Sequence, residues 1–359
     1  MKKRRPRIVQ FGCGRMSAYL MRYALAGGAE IVAAFDRNAK NIGVDIGEKT
    51  GAGMHGITIQ HPDKAAEFFR DNAVDVCIVA TRSLLREVED VMALCVEHGI
   101  NVLTLCDEAL FPWNSSPALT EKLDRAAKQK GVTIMGSGYP DLCYCHFVTT
   151  VAGSSHKIAV IRGQSSYNAD DYGIALAEHH GVGLSPEEFE RQITLADSVS
   201  DAERATQIAT GTFTPVPMWN ANGWLCSRLG LTVTRQTQQS LPVFHDQPVF
   251  SRTLGRTIPE GHAIGMTSRV ITETREGIRV ETEGIGKVYL PGEVDTNAWT
   301  IEGEPNTRFS IDRPMNQEMI CALLVNRIPD VITAAPGFVT TDRLGPAQTH
   351  PHGLWVDTN

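Results

Sequence analysis

Five short apolar runs punctuate the first 140 residues, and their alternation with helical segments limits the possible folds more than any other feature. "RIVQF" (7–11), "EIVAAFD" (30–36), "VDVCIVA" (74–80), "NVLTLC" (101–106) and "VTIM" (132–135) are rich in Val, Ile and Leu, the texture of strands buried on both faces. Between them lie helices with readable ends. "MSAYLMRYALAGG" stops at Gly27 and Gly28, and "SLLREVEDVMALCVEHG" opens at Ser83 as its cap and stops at Gly99. "SPALTEKLDRAAKQKG" has Ser116 as N-cap, Pro117 in its first turn and Gly131 as its stop. Strand, helix, strand in repetition requires a parallel sheet with right-handed crossovers. The expectation is an α/β fold over 1–140, a doubly wound parallel Rossmann sheet with ligands at the carboxyl ends of its strands.

Past residue 140 the texture changes. "PDLCYCHFVTTVAG" reads as a helix, "HKIAVIRGQSSYN" (156–168) as a strand, and "SPEEFERQITLA" as a helix with a capping box between Ser185 and Glu188. "GHAIGMTSRVITETREGIRVETEG" reads as a hairpin turning at Glu276 and Gly277. Residues 141–313 are therefore expected to form an α+β substrate-binding and dimerisation domain with an open mixed sheet. The helix "NQEMICALLVNRIPDVI" (316–332) should pack back, so that 314–359 completes the first domain. No internal repeat interrupts this plan.

Composition excludes several partners. A net charge of -7 offers no cationic field for nucleic acid or an anionic membrane. No apolar run approaches the ~18 residues of a membrane span. The basic start "MKKRRPR" runs straight into a strand, which makes a poor signal peptide and predicts a solvated, frayed terminus. The eight cysteines sit mostly in apolar stretches, which points to reduced thiols in the cytoplasm. Cys143, Cys145 and His146 lack a second Cys/His pair at matching spacing, and His350 and His352 read as a loop, so no metal is expected.

The strand ends carry the chemistry. After the first run comes Gly12-Cys13-Gly14-Arg15-Met16-Ser17, a G-x-G-x-x-S turn opening a helix. Its first glycine permits the tight turn and its second lets backbone approach a pyrophosphate. The helix N-terminus at Arg15 and Met16 then supplies N–H groups and positive dipole. The second run ends in Asp36, near the spacing at which an acid holds the adenosine ribose. Asp36 favours NAD because its charge repels a 2'-phosphate. Arg37 is a good phosphate partner if it is not simply a solvated loop charge, so the expectation is NAD with NADP tolerated. Thr81 and Arg82 should lie along the nicotinamide half, with Ser83. The fourth run delivers Asp107 and Glu108 at its tip. A structural alternative is capping of the following turn or pairing with Arg82, and it weighs more on Asp107, whose short side chain is the better local capper.

At these residues the chain resembles the dihydrodipicolinate reductase N-terminal superfamily, and within it 2,4-diaminopentanoate dehydrogenase and the native amine dehydrogenases. "RIVQFGCGRMS", "EIVAAFDRN", "CDEA", "IMGSGYPD" and "LLVNRIPDVITAAPGFVT" carry the resemblance, which spans nearly the whole chain. It implies that Glu108 is the catalytic acid/base, that a dinucleotide is the cofactor and that the chain forms a homodimer. Two relatives fail by absence. Sugar dehydrogenases carry Glu-Lys-Pro at this strand end, where this chain reads Asp107-Glu108-Ala109. Dihydrodipicolinate reductase follows a His-His pair with a lysine three residues later; here His179-His180 is followed by Gly183.

A carboxylate suits amine dehydrogenation. An ammonium cannot release hydride until it loses a proton, and the iminium that follows is a cation that lysine would repel. The expected reaction is reversible oxidative deamination of an amine, or reductive amination of a ketone or aldehyde with ammonia. A diamino-acid dehydrogenase is the nearest variant, and a non-catalytic dinucleotide sensor is the reading from another class. Tyr139, Tyr144, Tyr167, Tyr172 and His262 are the pocket candidates. By alternation His262 should share a strand face with Ile264 and Met266.

Overall fold

The computed structural model describes residues 3–172 and 174–357 and divides into two compact units, Met1–Leu142 with Met315–Asn359, and Cys143–Pro314. In the first unit six strands lie parallel: β1 (Arg7–Phe11), β2 (Glu30–Phe35), β3 (Ile59–Gln60), β4 (Val76–Val79), β5 (Asn101–Thr104) and β6 (Thr133–Gly136). Their spatial order is β3-β2-β1-β4-β5-β6, extended by a two-residue strand, Gly337–Phe338, beside β6. The order reverses between β1 and β4, which creates the crevice where open α/β sheets bind ligands.

Apolar residues on both strand faces explain why this sheet is buried. Val9, Phe11, Cys77, Val79 and Val102 face one core together with helix α2 (Leu85–Glu97). Ile8, Ile31, Ala34, Ile78 and Leu103 face the other, with helix α1 (Arg15–Ala26) and the helix Asn316–Asn326. The latter is tied to α1 by the Cys321 thiol, 3.4 Å from the Met16 carbonyl. The expected single helix over 316–332 breaks at Arg327, because Pro329 begins a new turn, Ile328–Thr333.

Buried Arg327 locks this segment onto the exit from β6. Its Nε donates to Asp141 at 2.9 Å and its Nη1 to Asp330 and the Gly345 carbonyl, both at 2.8 Å, while Ser137 donates to Asp141 at 2.7 Å. The N-terminus is not frayed as expected from Lys3 onward. Lys3–Arg4 pairs with Val356–Asp357, and the Arg4 guanidinium grips Asp75 with two 2.5 Å bonds. Met1 and Lys2 lie outside the described residues.

The second unit is a six-stranded mixed sheet. Strands β7 (Lys157–Asn168), β8 (Val233–Phe244), β9 (Ala263–Thr274), β10 (Arg279–Lys287), β11 (Thr296–Glu304) and β12 (Thr307–Asp312) lie in the order β12-β11-β7-β10-β9-β8. All pairings are antiparallel except β7 with β10. The expected hairpin joins β9 to β10 and turns at Gly277, φ +79°. The Ser185–Glu188 capping box forms reciprocally. One face of the sheet is covered by the helix Pro217–Leu229, whose buried Asn222 donates to Thr272 and accepts from Thr282. The opposite face carries Arg162, Arg269, Glu281 and Glu283 in paired charges.

Candidate active site

The glycine-rich turn is shaped for a close approach of backbone. Gly12 has φ +88°, and a Cβ there would stand 2.5 Å from the Ala80 carbonyl oxygen and 2.7 Å from Thr81 Cγ2. Only glycine fits, and β1 and β4 meet through this contact at the point where the strand order reverses. Gly14 is the N-cap of α1; no side chain caps the helix, and a Cβ at Gly14 would meet nothing within 4 Å. Open space therefore lies before the leading N–H groups of α1, at Arg15 and Met16, as a pyrophosphate requires. Ser17 is buried and donates to the Gly14 carbonyl at 2.7 Å, which tightens the turn.

Asp36 ends β2 turned toward this loop. Its Oδ2 accepts from the Cys13 N–H at 2.6 Å and from Asn41 at 3.0 Å, and its Oδ1 accepts from the Asn38 N–H at 2.6 Å. A carboxylate has about four lone-pair sites, so acceptor capacity remains for a ribose hydroxyl. Arg37 is exposed beside it, and Thr81, Arg82 and Ser83 are exposed at the end of β4.

The two carboxylates beyond β5 divide in a way the sequence reading did not expect. Asp107–Leu110 forms a single 3-10 turn. Within it Asp107 is exposed, whereas Glu108 is 1% exposed. The Glu108 carboxylate accepts from Leu85 N–H at 2.7 Å, Ser115 Oγ at 2.7 Å and Ser116 Oγ at 2.6 Å. It thus satisfies a leading N–H of α2, the task expected of Ser83. Ser83 instead offers its carbonyl to the Glu108 N–H and the Cys106 thiol. Ser116 does precede its helix, but its hydroxyl is given to Glu108 and makes no cap bond. The longer glutamate side chain reaches across to a neighbouring helix. A carboxylate under three donors is held in place as a brace between this turn and its neighbours, and the exposed acid of the turn is Asp107.

In the second unit, Tyr167 on β7 and Tyr172 meet edge to face at 5.7 Å. The Tyr167 hydroxyl lies 2.6 Å from His180 Nε2, and His180 Nδ1 lies 2.8 Å from the Leu176 carbonyl. A carbonyl only accepts, so Nδ1 carries the proton and Nε2 accepts from the tyrosine. Burial pushes the His180 imidazole down to about 4, which keeps it neutral. Tyr144 is separate, its hydroxyl donating to Ser165 at 2.8 Å. Tyr139 is buried in the first unit. His262 does not share a face with Ile264 and Met266. It precedes β9 in a turn, and a register shift between Ala263 and Gly265 sends Ile264 and Met266 into different apolar clusters.

Comparison with known proteins fixes the family. Residues 6–104 match the model of the dihydrodipicolinate reductase N-terminus. The chain is 26% identical over 279 residues, 75% of its length and 73% of the relative's, to 2,4-diaminopentanoate dehydrogenase of Acetoanaerobium sticklandii. It is 36% identical to a solved amine dehydrogenase from Mycobacterium smegmatis, with a TM-score of 0.86, covering 96% of this chain and 98% of the other. The chain belongs to the amine dehydrogenase family. A biliverdin reductase from Synechocystis, solved with biliverdin and NADP+, shares the fold at 12% identity, covering 93% of this chain and 92% of its own, with a TM-score of 0.54.

Within this family member, sequence reasoning missed the roles of five residues that shape the site. Ser115 and Ser116 hold Glu108, His180 orients Tyr167, and Asn41 and Lys49 bear on Asp36. None has a spacing signal, because each acts across a turn or between elements. The "DRNAKN" run offered one hint for Asn41, since Asp and Asn residues close together in a turn commonly bond one another or the local backbone.

Proposed function

We propose that the chain is an NAD(P)-dependent amine dehydrogenase, interconverting an amine with the matching ketone or aldehyde and ammonia, and that Asp107 is its acid/base. The observation that carries this reading is the exposed Asp107 carboxylate beyond β5, two strands from the Gly12 turn, on a 3-10 turn whose next residue is immobilised by three hydrogen bonds. Gly12, Gly14, Arg15 and Met16 fit a pyrophosphate, Asp36 the adenosine ribose, and Thr81, Arg82 and Ser83 the nicotinamide half. The nicotinamide ring, when bound, supplies the hydride acceptor.

Asp107 takes the proton from the substrate ammonium and leaves a neutral amine competent to release hydride. Once it has passed that proton to solvent it is again a carboxylate, which steadies the iminium, takes a proton from the water that attacks the iminium carbon, and returns it to the nitrogen that leaves as ammonia. In reverse it protonates the hydroxyl that leaves the carbinolamine. Proton transfer of this kind contributes roughly 10² to 10⁴ in rate.

Tyr167, oriented by His180, and Tyr172 packed edge to face against it are proposed to line the substrate pocket, with Tyr139, Tyr144 and His262 as the remaining candidates. NAD binding with NADP tolerated, a homodimer built on the second unit and a cytoplasmic location complete the proposal. The eight cysteines, all buried, fit a reducing compartment.

The test is ammonia-dependent consumption of NADH or NADPH across a panel of ketones and aldehydes, repeated with Asp107→Asn. Wild-type turnover with a loss of about 10² or more in the variant is expected. Absence of ammonia-dependent turnover across the panel in a folded, cofactor-binding protein would refute the reading.

A further inference from the structure

Asp36 is not alone at the adenosine end. Asn41 is buried and donates through Nδ2 both to the Asp36 carboxylate, at 3.0 Å, and to the Cys13 carbonyl, at 3.1 Å. Its Oδ1 accepts from Lys49 Nζ at 2.5 Å. A half-buried ammonium, an amide and a carboxylate therefore form one chain, Lys49 to Asn41 to Asp36, running into the glycine-rich turn. The field of Lys49 reaches that turn. Burial and the Asp36 charge push the Cys13 thiol up to about 12, and Lys49 acts on it in the opposite sense. With the Cys13 and Asn38 N–H groups, the carboxylate has three donors from the protein and a cation behind the amide.

This arrangement bears on cofactor choice. An isolated aspartate at the end of β2 repels a 2'-phosphate and selects NAD. Here the repulsion is offset by a lysine that polarises the amide bonded to the acid, and Asp36 is drawn toward the turn. We infer that Lys49, acting through Asn41, is a specificity-determining residue that makes the site accept a 2'-phosphorylated dinucleotide as well as an unphosphorylated one. The inference rests on the dinucleotide-binding part of the proposed function. It differs from a role for Arg37, which would touch the phosphate directly from an exposed position. Lys49 acts on the acid, so its influence should persist when Arg37 is removed.

The experiment is titration calorimetry on the full chain with NAD+, NADP+, 5'-AMP and adenosine 2',5'-bisphosphate at two salt concentrations. It is run on wild type, Lys49→Met and Lys49→Arg, each checked for folding by circular dichroism. Lys49→Met should weaken NADP+ and the bisphosphate by about 10-fold, the order expected on removing one partly screened charge, while NAD+ and 5'-AMP change by less than about 2-fold. Lys49→Arg should restore most of the loss. If Lys49→Met fails to fold, Lys49→Gln keeps a donor to Asn41 without the charge, and the same selective loss is expected. Equal weakening of NAD+ and NADP+ would make Lys49 a purely structural residue and overturn the inference, as would a wild type that binds NAD+ alone. A folded wild type that binds neither dinucleotide would instead bring down the proposed function, and this inference with it.

Discussion

Removing the Glu108 carboxylate separates its role from that of its neighbour. In Glu108→Ala three buried donors lose their acceptor: Leu85 N–H, Ser115 Oγ and Ser116 Oγ. Bonds to a charged acceptor contribute roughly 1.5 to 3 kcal/mol each, which summed naively is about 5 to 9 kcal/mol. The hydroxyls can turn, and Ser115 already lies 3.5 Å from the Pro112 carbonyl, so the backbone N–H of Leu85 is the group left stranded. One unsatisfied buried donor at about 1 to 3 kcal/mol, plus the space left by the truncated side chain, puts the loss near 3 to 4 kcal/mol. Asp107→Ala removes an exposed side chain and should cost less than about 0.5 kcal/mol. Activity should divide the other way, with Asp107→Ala losing about 10² to 10⁴ in kcat while Glu108→Gln, which keeps an acceptor for Leu85, retains most turnover. Urea unfolding followed by circular dichroism, together with initial rates of NAD(P)H formation from an amine, gives both numbers. A Glu108→Ala protein as stable as wild type but inactive, beside an active Asp107→Ala, would refute the assignment and return the acid/base role to Glu108.

Arg327→Leu leaves Asp141 buried without its guanidinium partner and should destabilise the first unit by about 3 to 5 kcal/mol, measurable by thermal or urea denaturation. Gly12→Ala forces a Cβ against the Ala80 carbonyl at positive φ, so dinucleotide affinity should fall by more than about 10-fold with stability reduced by a few kcal/mol, read by calorimetry and unfolding. His180 is held neutral by burial, its folded value near 4 lying below the ordinary 6.5. The unfolded chain binds this proton first, so stability is fully present above pH 6.5 and declines as pH falls to 4, by about 3 kcal/mol in all from this group. His180→Phe should flatten that window in a plot of stability against pH, and an unchanged slope would show that other groups carry it.

Local chemistry fixed much of the plan before any contact was known. Continuous Val, Ile and Leu runs bounded by Gly27, Gly99 and Gly131 announced parallel strands and helix ends, because backbone geometry at a C-cap and burial on both faces are properties of a few neighbouring residues. The Gly12 turn was legible for the same reason: its φ and its missing Cβ are needs that a short segment declares. The Ser185–Glu188 box and the Gly277 hairpin were equally local. The break at Arg327 was also written in the sequence, in Pro329, but the apolar period running through it obscured it.

What the sequence determined by itself is that a hydrophobic strand ends in two adjacent acids beside a dinucleotide-type turn. Which acid faces out was decided only by tertiary structure, because the donors that claim Glu108 come from Leu85, 23 residues earlier, and from Ser115 and Ser116 on the following turn. The same holds for the bulge that separates Ile264 from Met266, for the Tyr167 and His180 pair, and for the chain from Lys49 to Asp36. Each depends on a distance between elements, and hydrogen bonds between distant segments leave no periodicity in a sequence. Alternation and capping are short-range and can be read; the direction in which a polar side chain turns depends on which partners folding brings within about 3 Å.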